Sequence, residues 1–170
     1  MNDICNIKIR KVSKLNKSFN TEEDNIFIVD IPKEITDSSL IQGCLTQDGV
    51  VYLLLNTKEP EYVIDNIVNE KVEYLILNAN TCCNIQNSIE KIIKYGIKVG
   101  IYIDSETNIN SIDELLNYSD LIYINIKSKT KFEKVLNKAL YIKTNVDDDF
   151  VIIAKKYENT EMKNLNGIIE

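Results

Sequence analysis

The sequence predicts an α/β fold, a shortened (β/α)8 barrel. Three observations carry this: eight short apolar runs, amphipathic helical patterns between most of them, and strands apolar enough to be buried on both faces. The runs fall at 7–12, 26–31, 50–55, 73–77, 98–103, 121–126, 140–145 and 165–169, and are rich in Ile, Val, Leu and Tyr. Apolar residues at helical spacing over 60–68, 85–95, 111–116, 131–139 and 147–157 place helices between the later runs. Strands buried on both faces and joined by helices pair in parallel, and eight of them close a barrel. Two places are thin. Residues 13–24 are short and polar for a first helix, and residue 170 leaves no room for an eighth. An open doubly wound parallel sheet is therefore the alternative architecture. Residues 1–170 read as one domain, because no linker, repeat or low-complexity tract divides them.

Composition narrows the chemistry. The chain has no histidine, so it lacks the side chain that titrates near neutral pH and most often binds catalytic metals. A net charge of -6 and a pI near 4.9 argue against a nucleic-acid surface, which needs a basic patch. No apolar run approaches the roughly 20 residues that span a bilayer, and the first residues show no secretory signal, so a cytoplasmic location is expected. Cys5, Cys44, Cys82 and Cys83 have no CxxC spacing, so zinc is not expected. The vicinal pair Cys82-Cys83 reads as reduced thiols at the start of a helix.

From about residue 50 to 126 the order of residues becomes recognisable. Asn56-Thr57-Lys58-Glu59-Pro60-Glu61-Tyr62-Val63 leads from a strand through proline into a helix, and Glu73-Tyr74-Leu75-Ile76-Leu77-Asn78-Ala79-Asn80 follows. Ile89 to Ile101 carries a helix, a turn and a strand with glycines at 96 and 100. Asp104-Ser105-Glu106-Thr107 and Asp120-Leu121-Ile122-Tyr123-Ile124 complete the set. This stretch resembles the ribulose-phosphate 3-epimerase family, whose members are TIM barrels with the active site at the strand C-terminal ends. The resemblance implies epimerisation at C3 of a pentulose phosphate. Two aspartates exchange the proton on opposite faces of the sugar, and a divalent metal held by two histidines and the aspartates stabilises the enediolate.

Carried over residue by residue, the resemblance places Asp30, in Val29-Asp30-Ile31, on one acid/base aspartate. It places Ile28 and Leu54 on the two metal histidines. The second aspartate aligns with Asn145 at the end of a seventh strand, with Asp147 a short shift away. Asn78 and Asn80 replace the His and Glu of the fourth strand, and with Asn125 they are the candidate substrate-binding residues. The phosphate loops are absent: Lys127-Ser128-Lys129-Thr130-Lys131 and Asp147-Asp148-Asp149 stand where glycines are expected. The lysines could offer a replacement anion site or simply form a solvated turn, and the three aspartates suit a helix N-terminus. Asp30 could instead cap the turn at Ile31-Pro32, and Asp104 and Glu106 read as surface carboxylates or a weak cation site.

Three functions follow as expectations. The first is a degenerate barrel that has lost the epimerase reaction and the metal cofactor. The second is a sugar-phosphate epimerase or isomerase using Asp30 as acid/base. The third is a shortened barrel completed by another subunit. A small sugar-phosphate-like ligand and a homo-oligomer are the partners in view, and nucleic acid and membrane are not.

Overall fold

The computed structural model describes residues 7–14, 25–33, 41, 49–67 and 72–170. Nine strands form one sheet: β1 (Lys8–Lys11), β2 (Ser13–Lys14), β3 (Ile26–Ile31), β4 (Val50–Leu55), β5 (Val72–Asn78), β6 (Lys98–Asp104), β7 (Leu121–Asn125), β8 (Val151–Lys155) and β9 (Gly167–Ile169). Four helices are described: α1 (Glu61–Ile67), α2 (Ile85–Lys94), α3 (Ile112–Asn117) and α4 (Lys129–Asn145). The order in the sheet is β1-β3-β4-β5-β6-β7-β8-β9-β2, and β3 to β9 are parallel throughout.

β1 and β2 are separated by Val12 alone, yet they pair with opposite ends of this sheet. Lys8 to Lys11 run antiparallel to β3, and Ser13 and Lys14 run antiparallel to β9. Val12 donates its N–H to the Ile26 carbonyl at 2.9 Å, extending the first ladder to the changeover. One short stretch of chain thus spans the seam and draws the sheet round into a shortened barrel. The expected barrel is therefore present, with a first strand that is antiparallel. An antiparallel neighbour needs no crossover helix, which suits the polar sequence after it. Of the expected weak first helix, Ser13 and Lys14 lie in β2, and 15–24 fall outside the described residues.

Two cores flank the sheet. Outside it, the helices cover one apolar layer, in which Phe132, Val135, Leu136, Ala139 and Ile142 of α4 recur at helical spacing. Inside it, Val12, Ile28, Tyr52, Leu54, Tyr74, Ile76, Tyr123 and Ile153 belong to a second cluster that fills the lumen. Tyr52 and Tyr74 meet edge to face at 4.6 Å between ring centroids, and Tyr102 and Tyr123 at 5.1 Å. A strand's side chains alternate between faces, so every strand supplies both layers.

The helix ends explain themselves locally. The Pro60 carbonyl accepts from Val63 and Ile64, each at 2.9 Å, to start α1. The Asn84 side chain accepts from Asn87 N–H at 3.2 Å at the start of α2, and Gly96, at φ 71°, ends it in the left-handed region that favours glycine. The Ser128 hydroxyl accepts from Lys131 N–H at 3.4 Å at the start of α4.

Two expectations are corrected. The run 140–145 is the last part of α4, since Ala139 and Ile142 continue its buried face; the strand lies at Val151–Lys155. Residues 147–157, expected as a helix, hold a turn at Asp147–Asp149 and then that strand. The misleading signal was the aspartate run, which resembles a helix N-terminus although Asp149 N–H bonds the Asp147 carboxylate at 3.0 Å within the turn. No helix lies between β8 and β9. Asn166 takes over part of the pairing there: its N–H donates to Ile152 O at 2.8 Å and its side-chain oxygen accepts from Ile152 N–H at 2.9 Å.

Gly100 is closely approached by two lumen side chains. A Cβ there would sit 2.7 Å from Ile76 Cγ1 and 3.0 Å from Leu121 Cδ2. Gly100→Ala is therefore expected to destabilise by about 1 to 3 kcal/mol through overpacking. Urea unfolding followed by circular dichroism should show a lower midpoint with an unchanged slope.

Candidate functional site

The C-terminal ends of the parallel strands carry polar residues where the lumen core stops. Asp30, Asn56, Asn78, Asp104 and Asn125 end or directly follow β3 to β7, one from each strand. They share a face by alternation: Ile28 precedes Asp30, Leu54 precedes Asn56, Ile76 precedes Asn78 and Tyr123 precedes Asn125, each by two residues and each in the lumen cluster. The apolar barrel therefore opens into a polar mouth.

Hydrogen bonds tie the mouth together. Asn56 Nδ2 donates to Asp30 Oδ1 and, at 3.0 Å, to the Ile31 carbonyl. Asn78 Nδ2 donates to Asn56 Oδ1 at 2.8 Å, and Asn78 Oδ1 accepts from Asn80 N–H at 3.0 Å. Each amide thus donates toward the next, and the series ends on the Asp30 carboxylate. Asn80 Nδ2 donates to Asp104 Oδ1 at 2.5 Å. Across the mouth, Tyr157 OH donates to Asn125 Oδ1 at 2.5 Å, and Asn125 Nδ2 donates to Tyr102 OH at 2.8 Å.

Asp30 is half-buried, and burial pushes its pKa above the ordinary value; the Asn56 hydrogen bond and the charges of Arg10 and Lys8 only partly oppose this. Among the tyrosines of the lumen, burial likewise raises the Tyr123 and Tyr102 phenols, so they stay neutral hydrogen-bonding groups.

Among the described residues, the positions aligned with the metal ligands of the resembled enzymes do not assemble a ligand set. Ile28 is fully buried and Leu54 is 3% exposed, both in the apolar lumen cluster. Asn78 offers an amide already bonded to Asn56 and Asn80. Asp30 remains as a single carboxylate with two cations acting on it, an environment that repels a divalent ion. Among the described residues, one acidic group close enough to share an ion is Asp147, Asp148 and Asp149, which precedes β8 and so lies at the opposite end of the sheet.

Of the residues singled out from sequence, Asp30, Asn78, Asn80 and Asn125 come together at the mouth. Asn145 does not: it is the last residue of α4, exposed, with its side chain donating to the Tyr141 carbonyl at 3.0 Å. Asp147, its alternative, shares that far end. Asp104 holds its loop, accepting from Asn80 and, at 2.9 Å, from Glu106 N–H, while Glu106 is exposed. In the lysine turn, the Lys131 ammonium is engaged by the carbonyls of Ser105 and, at 2.8 Å, Thr107. Cys82 and Cys83 are free thiols directly before the α2 cap, and burial raises the Cys82 thiol, which lowers its thiolate fraction. Cys5 and Cys44 fall outside the described residues.

Sequence reasoning missed Arg10, Asn56, Tyr102 and Tyr157. Asn56 and Tyr102 had a readable signal, since each continues a lumen-facing alternation already in hand. Arg10 had two: it alternates with Val12, and it is the one arginine beside nineteen lysines.

The Asp30 environment has a measurable consequence. Its folded pKa is raised, so the native state binds the proton more tightly than the unfolded chain does, and stability falls as the pH rises from the ordinary value toward the folded one. Asp30→Asn keeps an acceptor for Asn56 and removes the buried charge. The variant should melt higher than the parent at pH 7, with the gap closing as the pH falls through the raised folded value toward 3.8, the ordinary value. A lower melting temperature for the variant at pH 7 would show that the Arg10 and Lys8 charges outweigh burial.

A model of the ribulose-phosphate 3 epimerase family matches residues 24–128. No curated protein matches the chain. The matched segment runs from β3 through β7 and holds Asp30, Asn56, Asn78, Asp104 and Asn125, while Arg10, Lys155 and Tyr157 lie outside it. With more than half its length matched, and with a parallel sheet curled into a barrel around a polar mouth, the chain belongs to the ribulose-phosphate 3-epimerase family, as a divergent and shortened member.

Proposed function

We propose that the protein is a degenerate epimerase-like barrel that binds a small polar ligand at its mouth, without a divalent metal and without epimerase turnover. The observation that carries this reading is the pair Ile28 and Leu54, aliphatic side chains packed in the lumen at the positions aligned with the metal histidines. Taking a proton from the carbon beside a carbonyl leaves negative charge on oxygen, and without a cation there the enediolate is not stabilised. Inversion at that carbon also needs a second acid/base group on the opposite face. Asn145, expected there from the sequence, ends a helix at the far end of the barrel, and the strand end that takes its place carries Lys155. Of the glycine loops that would seat a phosphate, the one after β7 is replaced by the Ser128-capped start of α4.

One observation favours a second reading. Asp30 is a partly buried carboxylate with a raised pKa inside a polar mouth, which is the setting of a general acid or base. On that reading the protein is a metal-independent proton-transfer enzyme acting on a sugar phosphate or a related compound.

Metal analysis of the purified protein, together with a coupled assay of ribulose 5-phosphate to xylulose 5-phosphate conversion, separates the two. The expected result is metal well below one equivalent and no turnover, with or without added divalent cation. Turnover that disappears in Asp30→Asn would overturn the proposal in favour of the enzyme.

A further inference from the structure

The first strand brings the chain's one arginine into the mouth. Cross-strand partners share a face of the sheet, and Arg10 stands opposite Ile28, a lumen residue, while Val12, two residues on, is in the lumen as well. Lys8 stands opposite Asp30 in the same register. Set on the lumen face by that register, Arg10 carries a charge that acts both on Asp30 of β3 and on Tyr123 of β7, strands on opposite sides of the ring. It is half-buried, and among the described residues it closes no ion pair within 4.0 Å. Lys155 joins it from β8, two residues beyond lumen-facing Ile153, with its ammonium 5.9 Å from the Tyr157 ring centre. β8, β9 and the first strand are consecutive around the barrel, so Lys8, Arg10 and Lys155 share one arc. Asp30, the asparagines and Asp104 occupy the other.

From this division we infer that Arg10 anchors the carboxylate of a small polyhydroxylated acid, whose hydroxyl groups lie along Asn56, Asn78 and Asn125. The assignment rests on the mouth being the metal-free ligand site proposed above, and it names the ligand class. Arginine suits the role because its planar fork bonds a carboxylate through two parallel hydrogen bonds and remains charged when partly buried. Amides, which donate and accept at once, suit vicinal hydroxyls. Charge balance selects a carboxylate over a phosphate. The strand ends bring three cations, Lys8, Arg10 and Lys155, and two carboxylates, Asp30 and Asp104, to the mouth. One added negative charge balances them, whereas a dianionic phosphate exceeds the surplus and faces both carboxylates.

Because Arg10 is the sole arginine, its Nε–Hε resonance in protein labelled with 15N-arginine is a direct reporter. D-ribonate, D-ribose 5-phosphate and D-ribose would each be titrated at fixed ionic strength. The inference expects a saturable shift with D-ribonate, a weaker response to D-ribose 5-phosphate and none to D-ribose. In calorimetry, Arg10→Gln should weaken D-ribonate binding by about tenfold or more, and Arg10→Lys by less, since it keeps the charge and loses the fork. A resonance that stays still with D-ribonate, or one that answers better to D-ribose 5-phosphate, overturns the inference; the wild-type titration decides even if Arg10→Gln does not fold. Epimerase turnover would instead overturn the reading beneath it, so the two failures are distinguishable.

Discussion

The molecule depends on how its first strand closes the sheet. A seven-stranded parallel sheet from β3 to β9 has two edges, each a row of unpaired backbone groups. The segment from Lys8 to Lys14 pairs with both, and Val12, the residue between its two strands, is buried at the changeover. Closing the ring in this way fixes which side chains enter the lumen. It also brings Lys8 and Arg10 to the end where the parallel strands finish, because an antiparallel strand begins where its neighbours end. A parallel first strand in the same place would have put its last residues there instead. The electrostatics of the mouth thus follow from strand direction.

The lumen in turn determines what chemistry the mouth can perform. Tyr52, Tyr74, Ile76 and Leu121 help to fill the lumen, and Ile76 and Leu121 leave little room for a side chain at position 100. Ile28 and Leu54, paired in register with Tyr52 and Ile76, belong to the same apolar filling. Above them the polarity changes within two residues along each strand, to Asp30 and Asn56. The boundary between core and site is therefore sharp, and the site consists mostly of groups that hydrogen-bond and remain neutral. In the proposed function such a mouth holds and orients a polar ligand.

Much of this was legible before the structure. Strands β3 to β7 were readable because each is a continuous apolar run bounded by polar residues, and the helix patterns between them are distinct. The seventh strand was misplaced for a physical reason: Leu140, Tyr141 and Ile142 lie consecutively on a helix whose buried face a short window does not reveal. Val151 to Ala154, buried on both faces, carries no periodicity at all. That error moved Asn145 into the candidate site. The direction of the first strand was not legible either, since alternation along Arg10 and Val12 is the same in both directions. Arg10 was missed with it, because its importance depends on which end of the barrel it reaches.

Asp30 shows how the parts combine. A carboxylate at a strand end ordinarily stays ionised, and a neighbouring arginine ordinarily helps to keep it so. Here the series of amides from Asn78 through Asn56 also donates toward it, yet burial outweighs these effects and its pKa rises. Arg10 and Asp30 nevertheless form no ion pair within 4.0 Å. Exchange of a proton on two faces of a sugar needs two carboxyl groups free to move it. Asp104, the other carboxylate of the mouth, is committed to Asn80 and to the Glu106 N–H. On the reading proposed above, Arg10 stands above an apolar floor and beside an array of amides, where it would hold an anion in one orientation.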